Sequence, residues 1–204
     1  MDEMHEYTVK GHPREKIIFS IATISIFLSP YISELCNYIV NDTLNFNLSV
    51  AVSGSAIFGI LYFAFGKVIW KTKLFASIFN YPNLNGEYEI EAISLLNPSG
   101  NEVNWKGVMK IQQSWDKLII TLKTENSTSY SKSIVGAIRH VPSLHYELYY
   151  HYENIPGCSQ NELDRHEGLC NVCFEEHLNS GEAYYFNNIK ERKSYGTMKL
   201  KRRL

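Results

Sequence analysis

The chain lacks the signatures that most catalytic readings need. It has no P-loop, no G-x-S-x-G elbow and no H-E-x-x-H pair, and His140, His145 and His151 come without an evident nucleophile. An enzyme is not expected. Cysteine is scarce, four in 204 residues, and a disulfide-held secreted scaffold is not expected. Basic and acidic side chains nearly balance, at 20 and 21, and the one dense basic cluster is 199–203. A nucleic-acid polymer is therefore a poor partner, and that tail suits an anionic lipid surface instead. Charge is missing altogether from 48–66, and Lys and Arg are missing from 40–47.

Those gaps frame two apolar stretches, 17–40 and 48–70. A helix rising about 1.5 Å per residue needs roughly 20 residues to cross a hydrocarbon core of about 30 Å, and each stretch supplies slightly more. Pro30, Glu34 and Asn37 interrupt the first. A cleaved signal peptide would be shorter and would leave no reason for a second apolar run. Lys10, Arg14 and Lys16 precede the first stretch, and Lys67, Lys71 and Lys73 close the second. The positive-inside rule then puts both termini in the cytoplasm, where cysteines stay reduced. Small residues recur every four positions, as Ser25, Ser29 and Ser33 and as Ala51, Ser55 and Gly59. Each set lines one helix face and serves either the hairpin itself or contacts between protomers, the second set being the expected oligomerisation surface. Glu34 faces either protein and water at membrane depth or the outer interface.

Residues 71–79 continue as an interfacial helix with Leu74, Phe75, Ile78 and Phe79 on one face, and Tyr81-Pro82-Asn83 ends it. The expected organisation is a cytoplasmic N-terminal segment (1–16), a transmembrane helical hairpin (17–70), an interfacial linker (71–81) and a soluble domain (82–204).

The soluble part reads as strands: 86–94, 104–113, 117–125, 129–140, 144–153, 166–177, 182–188 and 196–203. Turn residues separate them at 97–101, 115–116, 126–127, 142–143, 154–165, 179–181 and 190–194. Nearly all are hairpin-sized, which predicts an all-β, eight-stranded antiparallel up-and-down barrel of lipocalin type behind a two-helix transmembrane hairpin. An open two-sheet sandwich is the alternative.

Alternation assigns Tyr88, Ile90, Trp105, Met109, Ile111, Leu118, Ile120 and Leu122 to the interior. On the middle strands it assigns Ser131, Ser133, Val135, Ala137 and Arg139, then Tyr146, Leu148, Tyr150 and Tyr152, then His166, Gly168, Cys170, Val172 and Phe174. Serines, phenols, an indole and a guanidinium make poor dry packing, because each buried polar group needs a partner. They suit a pocket for a nucleotide, with Arg on phosphate, aromatic faces on bases and hydroxyls as contacts. The other reading of Arg139 is a position at the barrel mouth, bound to a backbone carbonyl or Glu147.

The chain further carries L-N-G-E-Y (84–88), W-x-G (105–107), I-x-Q-x-W (111–115), S-x-S (131–133), L-x-Y-x-Y (148–152), N-x-P (154–156), H-x-G (166–168) and Y-G-T-M-K-L-K-R (195–202). In this order behind two spans, it resembles the two-transmembrane β-barrel effectors of bacterial cyclic-oligonucleotide antiphage signalling, CBASS. The resemblance implies a multi-pass protein of the bacterial inner membrane whose cytoplasmic barrel binds a cyclic dinucleotide made by a cognate nucleotidyltransferase. It then self-associates through its spans, disrupts the membrane and kills the cell. It carries over Trp105, Tyr150, Tyr152 and His166 as ligand contacts, beside Ser131, Ser133, Arg139 and Tyr146 from the strand reading. No cofactor is implied.

The spacing Cys170, Cys173, His177, with Cys158 and His166 upstream, raises zinc. On a strand Cys170 and Cys173 point to opposite faces and no Gly-rich knuckle joins them, so free thiols and no metal are expected. Two other functions remain: a membrane-anchored, lipocalin-like carrier of a lipid or other apolar ligand, and a scaffold with a solid core.

Overall fold

The computed structural model describes residues 4–43, 51–79, 81–96, 101–125, 127–142, 144–157, 165–188 and 193–203. The expected turns at 97–100, Asn126, Ser143 and 190–192, much of the 154–165 loop with Cys158, and the first residues of the second apolar stretch lie outside them. The chain divides into two compact units, residues 12–79 and the rest.

The first unit is helical: α1 (Arg14–Tyr38), α2 (Gly54–Lys67) and α3 (Lys73–Phe79). The run Arg14–Asn41 is long and apolar enough to cross a membrane. The two-span expectation is met for this helix only. At 14 residues α2 covers about 21 Å, short of a full core. Helices α1 and α2 pack on each other through small groups: the Val52 amide donates to Ser33 Oγ at 2.9 Å, Ser25 is fully buried, and a Cβ on Gly54 would stand 3.4 Å from the Ile26 backbone. Of the other small-residue set, expected on one helix face, Ser55 and Gly59 lie on α2 while Ala51 precedes it, and all three are exposed.

The second unit is a sheet of nine strands: β1 (His5–Lys10), β2 (Gly86–Leu96), β3 (Asn101–Gln113), β4 (Lys117–Thr124), β5 (Tyr130–Val141), β6 (His145–Ile155), β7 (His166–Glu175), β8 (Ser180–Asn188) and β9 (Lys193–Arg202). Strands β2 to β9 run as an antiparallel meander, β9 returns to pair with β2, and the ladders close into a barrel. The expected count of eight is corrected to nine. Strands β4 and β5 pair only over Thr121–Lys123 and then separate, and β1 fills the gap, antiparallel to β4 and parallel to β5. Residues 5–10, expected within the cytoplasmic N-terminal segment, thus pair into the sheet whose other strands lie within 82–204.

The interior is layered. Toward the end where β1 enters, Ile90, Met109, Ile111, Leu118, Ile120, Ile138, Leu148, Val172, Phe174 and Leu200 make a floor of apolar side chains. A polar clasp shuts it. Gln113 accepts from the Leu84 amide (2.8 Å) and donates to the Tyr7 hydroxyl (2.8 Å) and the Pro82 carbonyl (3.1 Å), while Tyr81 stacks on Trp115 at 4.8 Å and donates to its carbonyl. The L-N-G-E-Y and I-x-Q-x-W motifs are this clasp. Toward the other end the inward residues shrink or turn polar, and the barrel is open.

Candidate ligand pocket

The open end holds a cavity of about 270 Å³, walled by every strand from β2 to β9. Its lining mixes Val103, Leu122 and Met198 with hydroxyls from Ser94, Thr124, Ser127, Ser129, Ser131 and Ser194. Each strand contributes by the same taper: on β6, Leu148 belongs to the floor, and Tyr150 and Tyr152 to the wall. Two glycines make the wall possible. A Cβ on Gly168 would stand 2.5 Å from the Tyr152 hydroxyl, and one on Gly196 would stand 2.8 Å from the Tyr185 ring. The bare backbone of H-x-G and Y-G-T is where the phenols lie.

Hydrogen bonds hold the aromatic side chains in place. Trp105 Nε1 donates to Ser94 Oγ at 2.8 Å, Ser94 Oγ bonds the Tyr185 hydroxyl, and the Trp105 and Tyr185 rings meet edge-on at 6.1 Å. Tyr152 donates to Asn187 Oδ1, and Asn187 Nδ2 in turn donates to Ser194 Oγ at 2.8 Å. Burial pushes the Tyr152 and Tyr185 phenols upward; burial and then the adjacent Cys170 push Tyr150 well above its ordinary value. Burial also lifts the Cys170 thiol to about 12. These groups are neutral donors at physiological pH and not nucleophiles. One buried donor is unclaimed: Asn154 Nδ2 has no hydrogen-bond partner among the described residues.

Of the expected contacts, Trp105, Ser131, Tyr150, Tyr152 and His166 line this cavity. Three do not. A β-bulge between Ser133 and Val135 shifts the register, so Ile134 and Val135 both face out and Ile138, at 1% exposure, takes the inward place given to its neighbours. Arg139 is thereby turned to the outer wall, where it pairs with Glu147, the other partner considered for it. Val135 and Ala137 leave the interior set for the same reason. Ser133 does point in, but its Oγ is spent on His5 Nε2 (2.7 Å) and the Ile120 amide (2.9 Å). Tyr146 stacks on His140 at 4.6 Å, away from the cavity. Sequence reasoning missed Ser94, Asn154, Tyr185 and Asn187. Alternation along the expected strands already reaches Ser94, Tyr185 and Asn187, and it reaches Asn154 once β6 is extended to its observed end at Ile155.

As expected, Cys170 faces inward and Cys173, one strand position off in phase, faces outward. Of the basic tail, Arg202 is bound to the Asn85 carbonyl and Arg203 to Glu89 at 3.1 Å, so neither arginine is a free lipid contact.

A barrel with one closed end, a wall of stacking faces and hydroxyls, and a long apolar helix elsewhere in the chain defines a membrane-associated small-molecule receptor. Comparison with known proteins makes this specific. Residues 79–202 match the family model described as "Cap15, cyclic dinucleotide receptor domain", and residues 15–71 match "Cap15, TM helices". The chain is 32% identical to CD-NTase-associated protein 15 of Yersinia aleksiciae over 207 residues, covering 97% of each. It belongs to the Cap15 family of CBASS antiphage effectors. Neither family description names a catalytic domain.

Proposed function

We propose that a cyclic dinucleotide, made by a cognate nucleotidyltransferase, enters the open end of the barrel, and that its binding drives self-association through the apolar helices, inner-membrane disruption and cell death. The observation that carries the reading is the aromatic and hydroxyl wall above an apolar floor, with the unclaimed Asn154 donor in it. Trp105, Tyr150, Tyr152 and Tyr185 offer faces to bases, and the serines, Asn154 and His166 offer contacts to ribose and phosphate. Among the described lining residues there is no Lys or Arg, so dispersed hydroxyl and amide contacts carry the phosphates there. An apolar carrier is disfavoured by the number of hydroxyls.

Strand β1 precedes the helices and pairs with strands that follow them. That pairing favours both ends of residues 12–79 in one compartment and an even number of bilayer crossings between them. That supports a two-span hairpin with both termini cytoplasmic, in line with the Lys and Arg distribution. Ligand can favour assembly only by binding the assembled form more tightly. The exposed residues Ala51, Ser55 and Gly59 are the proposed contact between protomers.

The test is a panel of cyclic dinucleotides and trinucleotides titrated against the purified full chain. Saturable binding of a dinucleotide that Trp105→Ala weakens supports the reading. Binding of none of them, or of fatty acids instead, refutes it.

A further inference from the structure

A second cluster lies on the outer wall of the barrel, apart from the pocket. His145 and Glu147 stand two residues apart on β6, so both leave the sheet on one face, and the register sets Cys173 of β7 directly across from Glu147. A ring nitrogen of His145, a Glu147 carboxylate oxygen and Cys173 Sγ lie within 4.8 Å of one another, and His145 Nε2 stands 3.0 Å from Glu147 Oε1. Ligand atoms around a tetrahedral ion with bonds of about 2.0–2.3 Å stand roughly 3–4 Å apart, so small side-chain rotations bring all three to one ion.

Two further observations point the same way. The carboxylate is already oriented: Glu147 Oε2 accepts from Arg139 and from the Tyr149 hydroxyl (2.7 Å), which leaves Oε1 turned toward His145. Such outer contacts fix ligands in metal sites. A groove then leads to the cluster, lined by His145 and Cys173 together with Glu175, Glu176 and Glu182 against the single ammonium of Lys199. Carboxylates in excess at a groove concentrate cations.

We infer that His145, Glu147 and Cys173 form a site for one divalent transition metal of the zinc class, with water as the fourth ligand. Imidazole, carboxylate and thiolate donors select zinc or cobalt over calcium or magnesium. As the metal–sulfur bond forms, the Cys173 S–H bond breaks and its proton leaves to solvent. The ion would tie β6 to β7, the strands that carry Tyr150, Tyr152 and His166. This set is not the C-x-x-C-x-x-x-H spacing, since Cys170 faces the pocket and His177 lies exposed in the β7–β8 turn.

The test is a cobalt(II) titration of the chelator-treated full chain in detergent, read by the thiolate-to-cobalt charge-transfer band. One equivalent with that band, displaced by zinc, is expected. Cys173→Ser should abolish the band. His145→Gln, at a half-exposed position that the fold tolerates, should weaken metal binding beyond the roughly 10–100-fold that loss of an outer contact costs. Absence of a thiolate band, its persistence in Cys173→Ser, or unchanged affinity in His145→Gln overturns the site.

Discussion

At the scale of single residues, the proposed recognition rests on rings that the fold already holds in place. Trp105 is fixed by Ser94, Tyr185 by Ser94 and the bare backbone at Gly196, and Tyr152 by Asn187 and Gly168. Preorganised stacking faces contribute about 1–3 kcal/mol per base, so Trp105→Ala should weaken dinucleotide binding about 10- to 100-fold in calorimetry while leaving the far-ultraviolet dichroism unchanged. Equal affinity would remove Trp105 from the site. Arg139→Ala, on the outer wall, should leave that affinity unaltered.

The same buried phenols set an alkaline limit. Burial raises the pKa of Tyr150, Tyr152 and Tyr185, so the folded chain holds those protons more tightly than the unfolded one. Their contribution to stability is intact below the unfolded value of about 10 and is lost as pH rises through the folded values. Part of the tyrosinate absorbance should therefore appear only together with unfolding above about pH 10. Titration of every tyrosine in one step with the fold intact would contradict this. On the acid side the sign reverses. Burial alone would raise Glu147, but hydrogen bonds from His145, Tyr149 and Arg139 hold it low, and Arg165 does the same for Glu153. What these two carboxylates add to stability is present above about pH 4.3 and is lost below it.

At the scale of elements, the seam between β4 and β5 is the part of the barrel that depends on distant sequence. Tyr7 is buried and shares hydrogen bonds with Tyr81, Gln113 and the Ser114 carbonyl. Replacing it with Ala removes a large buried ring, a change that costs about 3–5 kcal/mol for comparable aromatic residues. A barrel beginning at residue 82 should accordingly melt well below one that retains residues 4–10 when the two are compared by calorimetry; equal melting would deny β1 its structural part. This seam was not legible in the sequence. Alternation over ten or so residues exposes the meander strands, because each buries one face against its sequence neighbours. Six residues before an apolar helix, paired with partners more than a hundred positions away, leave no such local trace. The bulge at Ile134 was equally silent, and it alone moved Arg139 from the interior to the surface. The wall residues on regular strands, Trp105, Ser131, Tyr150, Tyr152 and His166, were legible because nothing interrupts their phase.

At the scale of the whole molecule, the receptor and the membrane segment are joined twice, through Gly11 and through residue 80, and β1 makes the first joint part of the barrel wall. Strand β5 carries Ser131 at the pocket and, two residues on, Ser133, which grips His5 of β1. On the proposed reading, a shift of β5 would reach α1 through its hydrogen bonds to β1 and then along the chain. The exposed small residues Ser55 and Gly59 on α2 are the proposed contact on which such a shift would act. Ser55→Leu or Gly59→Leu should block dinucleotide-induced oligomers in sedimentation while preserving ligand affinity, and undiminished oligomers would reassign that face.

The most direct test of the account is ligand binding by the full chain in detergent, compared between the unaltered protein, Tyr150→Ala and Arg139→Ala. One cyclic dinucleotide should bind saturably, Tyr150→Ala should lose at least about tenfold in affinity, and Arg139→Ala should match the parent. Binding that is indifferent to Tyr150, or that disappears with Arg139, would contradict a receptor site at the open end of the barrel.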